Sequence, residues 1–560
     1  MSLAVARQCR LSLGVDVPMR DGVNLATTVF LPLSEGPFPV VLVRTAYNRT
    51  GFSPLPFTER GLALVVQDCR GRYGSDGTYY PFVREGEDGQ DTLGWLRCQP
   101  WCNGRVGMFG DSYLAATQFY AAPLAGEHLT ALNPRFMAID PWQRAYYCDG
   151  ALSLALTWSW LCFECRGRTS DAAAMPLLDV PKLLRHLPLV SLDEASGAGV
   201  VPAYRDYVTR PAWDEAWAAL SLRPRYGQFG APTLLMGGWY DYYPAQAVDA
   251  FLGLRRQAPT PTLARSHRLI LGPWTHGVNS TSVLGEVDFG PEAHREDDAT
   301  LRWLDCLLHD GDPAAFQAAP VRYFVMGANQ WREANDWPPP GVQFERWYLH
   351  AGGGLQAQAP PTEGQDLYDY DPDDPVPTCG GNHSVGPYNP GLYDFVKPGP
   401  WDQRAVEARA DVRVYTSAPL AEDMEVTGPV RLRLYASSTA LDTDFVARLT
   451  DVHPDGRSLN VTEGVLRARF RQGLYHPPQL LVPGQVYAFG VDLQVTSQVF
   501  GRGHCLRLQV TSSNFPLWDR NRNTGADPAT DTGGQTARQT LWCGPQHPSH
   551  LLLPVMRPCT

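Results

Sequence analysis

The run GRVGMFGDSYLAATQFYAA, Gly104 to Ala122, constrains the fold more than any other stretch of this chain. An apolar segment of strand length stops at a Gly-x-Ser turn, and small, apolar residues resume at once. A strand that feeds straight into a helix is half of a crossover unit, and such units build a parallel sheet covered by helices. The same grammar repeats around it. VNLATTVFLP reads as a strand after the turn MRDG, and FPVVLVR and LALVVQD are apolar, Val-rich runs without polar alternation. Runs of that kind are strands buried on both faces. EDGQDTLGWLRCQPWC has helical spacing and opens with acids. PTLLMGGWYD and HRLILGPWTH are two further strand-like runs that end in polar residues.

At 560 residues the chain is too long for one core, so several domains are expected. Three zones differ in composition. Residues 1–142 carry the first part of the α/β pattern. Residues 143–230 are rich in Ala, Leu and Trp, with segments such as PAWDEAWAALSL, and read as an inserted helical lid. The α/β pattern resumes over 231–345. From 346 to 560 alternating strands (VRVYTSAPL, GPVRLRLYAS, DFVARLTDV, QVYAFGVDLQVTS, HCLRLQVTSS) follow one another without a long helix, which predicts an all-β jelly roll.

Charge and hydropathy exclude two classes of partner. The net charge is −11 and no basic run occurs, so nucleic acid is not expected. The longest uncharged apolar run, ALSLALTWSWLCF, has 13 residues, short of the ~20 that span a bilayer. Arg7 and Arg10 interrupt the only apolar stretch near the N-terminus, so no secretory signal is expected there. Twelve cysteines without regular spacing then read as reduced thiols of a cytoplasmic protein. Cys162 and Cys165 form a Cys-x-x-Cys pair, but no second pair follows at a zinc-binding distance, so no metal is expected there. Self-association is left open.

A serine hydroxyl is a weak nucleophile until a base removes its proton, and the base needs an acid to orient it. In a parallel sheet such groups stand on loops at the carboxyl ends of strands. Ser112 follows GRVGMFG, Asp241 follows TLLMGGWY and His276 follows LILGPWT. The order Ser…Asp…His is that of an α/β-hydrolase, with Ser112 on a nucleophile elbow. His267 begins its strand, at the wrong end, and His453, His476 and His504 belong to the all-β zone. Taken singly, Asp241 could be a helix cap before YYPAQAVDA and His276 an ordinary loop histidine. Three such residues at three strand ends outweigh those readings. The oxyanion formed on attack needs donors. The backbone N–H of Tyr113 is one, and the loop RTAYNRTG offers the hydroxyl of Tyr47 as another. Trp158 and Tyr243 are the expected pocket residues of an aromatic, apolar acyl site, and Asp149 and Glu164 are carboxylates able to hold an amino group.

GMFGDSYLAATQ, GGWYD and GPWTH resemble the serine-hydrolase family of the bacterial cocaine esterase, which also holds glutaryl-acylases, α-amino acid ester hydrolases and X-Pro dipeptidyl aminopeptidases. The likeness continues in QDCRGRYGSDG, FVMGANQWREANDWPPP, YDYDPDDPVPTCGG, DTDFVARLTDVHPDGRS and SSNFPLWDRNRNTG, over nearly the whole chain. It implies an α/β-hydrolase core with an inserted helical lid and a C-terminal jelly roll. It puts the nucleophile on Ser112, the acid on Asp241, the base on His276 and the oxyanion donors on Tyr47 and Tyr113, with no cofactor. Two positions depart from the family pattern. Ala115 stands where the motif has glycine, and Asp111 puts a carboxylate beside the nucleophile, which is expected to point away from the reaction. The resulting expectation is a serine esterase acting on a small aromatic or apolar acyl ester, or an amide. The rivals are an X-Pro dipeptidyl aminopeptidase, an α-amino acid ester hydrolase, and a non-catalytic binding protein that works through its jelly roll.

Overall fold

The β-branched runs form the centre of a ten-stranded mixed sheet. Its strands are β1 (Arg10–Pro18), β2 (Asn24–Leu31), β3 (Phe38–Thr45), β4 (Ala63–Asp68), β5 (Cys102–Asp111), β6 (Ala131–Arg135), β7 (Leu234–Gly238), β8 (Arg268–Gly272), β9 (Val321–Val325) and β10 (Gln330–Ala334). They lie in the order β1-β2-β4-β3-β5-β6-β7-β8-β9-β10. From β4 through β9 the pairings are parallel, and the antiparallel pairs sit at the two edges. The computed structural model describes residues 8–276, 282–294, 296, 298–386, 389 and 391–557; Arg7 and Cys559 lie outside them.

Side chains alternate across a strand, so a run that is apolar at every position must be covered twice. Val40 and Leu42 enter one core together with Leu132 and Leu271, whereas Val41 and Val43 enter the other with Met236 and Ile270. Helices α1 (Glu85–Arg97), α2 (Tyr113–Ala125) and α3 (Pro244–Gln257) contribute to the first core, and α4 (Ala299–Leu308) to the second through Trp303, Leu304 and Leu307. Each fully buried aliphatic side chain contributes about 1.5–3 kcal/mol.

Between β6 and β7 the chain leaves the sheet to form the cover over its carboxyl edge. This region has no long helix. A two-residue hairpin, Tyr147–Cys148 against Ala151–Leu152, precedes short helices at Leu154–Ser159, Pro202–Val208 and Glu215–Leu220. Prolines 176, 181, 188, 202, 211 and 224 explain the fragmentation, since each removes an amide donor and blocks helix interiors.

The C-terminal part is an antiparallel β-domain with its own core, including Leu432, Leu434, Phe445, Leu449, Leu506 and Leu508. Its first strand, Val342–His350, pairs with His550–Met556 and runs through residue 346. Its two longest strands, Met424–Ser438 and Tyr487–Phe500, pair with each other. Backbone bonds tie it to the hydrolase sheet: Met326 N–H donates to Ser497 O at 3.0 Å, and Val499 N–H to Met326 O at 2.8 Å. No helix among the described residues is long and apolar enough to cross a membrane.

Candidate active site

Ser112 stands between the last residue of β5 and the first of α2, at φ 56° and ψ −124°. That left-handed conformation is costly for a residue with a side chain, and it lifts the hydroxyl off the strand end. Ser112 does not cap its own helix with its side chain. Gly110 makes the turn possible: its φ is +146°, and a Cβ there would meet Leu114 Cβ at 2.4 Å. The tight approach at the elbow therefore falls on Gly110, while Ala115 packs fully buried in the core below.

The Asp111 carboxylate is engaged by Arg135. Asp111 lines the cavity in front of Ser112, as does Arg135, and the two form a bidentate ion pair. Residues 111 and 135 are register partners on the parallel strands β5 and β6, so the arginine is delivered to that carboxylate by the sheet itself. Its Nη1 also donates to Thr300 Oγ1 at 3.1 Å. The carboxylate beside the nucleophile thus carries its own counter-charge.

Asp241 and His276 come from the loops after β7 and β8. These strands pair with Gly238 opposite Gly272, and the loops stay zipped beyond them: Trp239 N–H donates to Gly272 O at 2.9 Å and Tyr240 N–H to Trp274 O at 3.0 Å. The approach is so close that a Cβ on Gly238 would lie 2.2 Å from Trp274 O, which accounts for the second glycine of GGWYD. The zipped loops bring His276 Nδ1 to 3.1 Å from Asp241 Oδ1. That oxygen also accepts the Tyr242 N–H at 2.7 Å, and Asp241 is fully buried. Helix α3 is capped at Tyr243, so Asp241 is not its cap. With Nδ1–H held by a buried carboxylate, the proton-accepting nitrogen of His276 is Nε2.

Ser112, His276, Tyr47 and Tyr243 line one cavity of about 680 Å³. The Tyr47 hydroxyl accepts Trp160 Nε1–H at 2.9 Å, and Tyr47 lines the same cavity as Ser112. Because the indole N–H occupies one lone pair of the hydroxyl, the phenolic proton is directed elsewhere. Burial pushes the phenol well above its ordinary value, so it stays a donor. The amide of Tyr113 is the first of α2, and the first amides of a helix have no partner within it. Tyr113 is anchored from behind, its hydroxyl donating to Glu85 Oε1 at 2.8 Å and accepting Phe82 N–H at 3.0 Å.

The pocket expectation needs one correction. Tyr243 lines the cavity with its ring 5.6 Å from that of His276, but Trp158 does not: it is fully buried against Phe163, with ring centroids 5.1 Å apart. Trp160 takes its place. The helix Leu154–Ser159 widens into a π turn over Trp160–Glu164, closed by Cys165 N–H donating to Trp160 O at 2.8 Å. That turn presents both Trp160 and Glu164 to the cavity. The two carboxylates considered for an amino group also separate. Asp149 pairs with Arg144 at 3.0 Å, and Arg144 reaches Asp492 of the β-domain at 3.2 Å, an ion pair that ties cover to β-domain. Glu164 faces the cavity, where no hydrogen bond or ion pair links its carboxylate to a described residue. The nearby Arg72 donates instead to the backbone oxygens of Ala46, Glu164 and Gly167. Burial pushes the Glu164 carboxyl up, and Arg72 only partly opposes this. Cys162 and Cys165 are buried free thiols.

The family described as X-Pro dipeptidyl-peptidase (S15 family) matches residues 21–278, and the X-Pro dipeptidyl-peptidase C-terminal non-catalytic domain matches residues 314–552. The chain is 36% identical over 583 aligned residues to a cocaine esterase of Rhodococcus sp. (strain MB1 Bresler), covering 97% of this chain and 98% of the relative. Among solved structures, a selenomethionine-labelled α-amino acid ester hydrolase superposes with a TM-score of 0.86 at 27% identity, covering 99% of this chain and 98% of the other. An aminopeptidase from a marine sediment archaeon, Thaumarchaeota archaeon, has the same fold, with a TM-score of 0.86 at 24% identity over 98% of this chain and 96% of that one.

Proposed function

The chain belongs to the X-Pro dipeptidyl-peptidase (S15) family and is a serine hydrolase that acts on ester bonds, and from that premise we propose that Ser112, His276 and Asp241 are its catalytic triad. The observation that carries this reading is one convergence. Ser112 on its strained elbow and His276 held by buried Asp241 open on the same cavity.

Ser112 Oγ attacks the ester carbonyl as His276 Nε2 takes its proton. Asp241 keeps the imidazole in the tautomer with Nδ1–H and stabilises the imidazolium. Tyr47 and the Tyr113 amide hold the oxygen of the tetrahedral intermediate. Collapse of that intermediate breaks the ester C–O bond, and the alcohol leaves with the proton from His276. Water then attacks the acyl-serine, gives its proton to the same nitrogen, and releases the acid and Ser112. The ion pair of Asp111 with Arg135 limits the repulsion that a lone carboxylate would exert on the oxyanion.

The aromatic and apolar lining, with Phe82, Tyr146, Leu156, Trp160 and Tyr243, suits a small ester with an aromatic or apolar acyl group. Glu164 favours a second reading within the same chemistry, in which the ester carries an ammonium group, as the similarity to an α-amino acid ester hydrolase also suggests. A cytoplasmic setting belongs to the proposal, in keeping with eleven free thiols among the described residues. The test is fluorophosphonate labelling, with a panel of neutral and amino-bearing esters run beside a Gly-Pro anilide on wild type and Ser112→Ala. Label on Ser112 and ester turnover that vanishes in the variant are expected. Label elsewhere, or unchanged turnover, removes the triad. Turnover of the anilide above every ester would make the enzyme a peptidase.

A further inference from the structure

The β-domain carries a second constellation of titratable groups. Strands Asp444–Val452 and Cys505–Thr511 pair antiparallel with Val452 opposite Cys505. That register sets His453 opposite His504, one step beyond the ladder. Asp451 is two residues before His453 and therefore on the same face. One ligand atom from each of the three lies within 4.8 Å of the others. His504 Nδ1 is 2.7 Å from Asp451 Oδ1, His453 Nε2 is 3.8 Å from Oδ2, and the two imidazole rings have centroids 4.4 Å apart.

From this geometry we propose that Asp451, His453 and His504 form a binding site for a divalent transition cation, zinc above all. Two imidazole nitrogens and one carboxylate oxygen, with a coordination position left for water, are a donor set that zinc takes at about 2.0–2.2 Å. Tetrahedral bonds of that length put neighbouring donors about 3.3 Å apart, so small rotations of the half-buried imidazoles close the site. Calcium and magnesium prefer all-oxygen sets and are poor candidates. The surroundings suit a cation. Asp451 is buried, and its Oδ2 accepts Gln498 Nε2–H at 3.3 Å, an outer contact that orients the carboxylate.

The site stands where the two halves of the molecule meet. Gln498, which donates to Asp451, lies on the strand whose Ser497 and Val499 bond to Met326. A cation here would brace the β-domain against the sheet that carries the triad, with no part in the acyl transfer.

The experiment uses the full chain, stripped of metal and titrated with Zn²⁺ alone by calorimetry, then with Co²⁺ while its visible absorption is recorded. One saturable equivalent, a raised Tm and the d–d bands of four- or five-coordinate cobalt are expected. The double variant His453→Ala/His504→Ala should lose at least about tenfold in affinity, since even outer contacts to a metal cost about 10–100-fold. Fluorophosphonate labelling of the same variant should be unchanged. Wild type without saturable uptake and without the cobalt bands overturns the proposal, and so does a double variant that binds zinc as tightly as wild type. Should that variant not fold, the cobalt spectrum of wild type decides alone, presence supporting the site and absence removing it.

Discussion

His276 and His504 each turn Nδ1 toward a buried aspartate, at 3.1 Å from Asp241 and 2.7 Å from Asp451. Judged by that pair alone the second site is the tighter one. What separates them is the other nitrogen and the backbone that presents it. His276 hangs on a loop beyond a parallel strand, at the edge of a cavity shared with a serine on a strained elbow. His504 sits beside an antiparallel ladder, its ring against that of His453. Parallel strands send their carboxyl ends and loops to one edge, where distant residues converge on a substrate. An antiparallel pair sets two side chains face to face, a geometry that suits a cation between them. An aspartate–histidine contact therefore does not identify a base until the second nitrogen has been given something to act on.

The largest test of this contrast is removal of the nucleophile or base. Ser112→Ala and His276→Ala should each lower kcat for an ester by about 10⁴-fold or more. His504→Ala should leave kcat where it is. A folded His504 variant as inactive as the His276 variant would erase the distinction. Next come the two acids. Asp241→Asn should lower kcat by about 10⁴-fold, because the amide no longer selects the Nδ1–H tautomer. Asp451→Asn should cost about 1–3 kcal/mol of stability through its lost hydrogen bonds and leave kcat unchanged. Thermal unfolding beside steady-state rates reads both.

The same contrast explains how much of the molecule its sequence declares. Strands buried on both faces declare themselves as unbroken apolar runs, so the order of Ser112, Asp241 and His276 at strand ends was legible. The cover was legible as a helical insertion but its individual elements were not, because its prolines cut helical spacing into pieces too short to show a period. The place of Trp160 in the cavity, where the sequence points to Trp158, is hidden for the same reason: a π turn shifts which side chains face inward, and no periodicity in ALTWSWLCFE marks it. The pairing of Asp111 with Arg135 depends on the register of β5 against β6. The cluster of Asp451, His453 and His504 depends on an antiparallel register across more than fifty residues, so His453 and His504 read merely as members of the all-β zone.

A smaller effect probes the oxyanion donors. Tyr47→Phe should lower kcat by about 10²–10³-fold with little change in KM, since its hydroxyl acts on charge that develops only in the transition state. The Tyr113 amide would remain, which sets the residual rate. An equal loss in Trp160→Phe, which keeps the ring but removes the indole donor, would show that the Tyr47 proton is aimed by Trp160 as the 2.9 Å contact implies. Unchanged rates in both variants would take Tyr47 out of the oxyanion site.

The smallest effect concerns Glu164, the cavity carboxylate without a protein partner among the described residues. Burial chiefly raises the Tyr47 phenol and the Glu164 charge adds to it, so for a neutral ester that charge opposes the oxyanion on which Tyr47 acts. For an ester bearing an ammonium group the same charge is a counter-ion, worth about 10–100-fold as a hydrogen bond to a charged partner. Glu164→Gln should therefore lower kcat/KM for the ammonium ester by about tenfold or more while leaving or raising that for its neutral isostere. The pH dependence has a definite sign. Burial raises the Glu164 pKa, so the carboxylate takes its proton above the ordinary glutamate value as pH falls. The preference for the cationic ester should be full above that raised pKa and fade below it. In the glutamine variant the ratio of the two esters should not change over the same window. A wild-type ratio that stays flat as the solution is acidified would separate Glu164 from substrate choice and leave the neutral aromatic ester as the better description of what the cavity accepts.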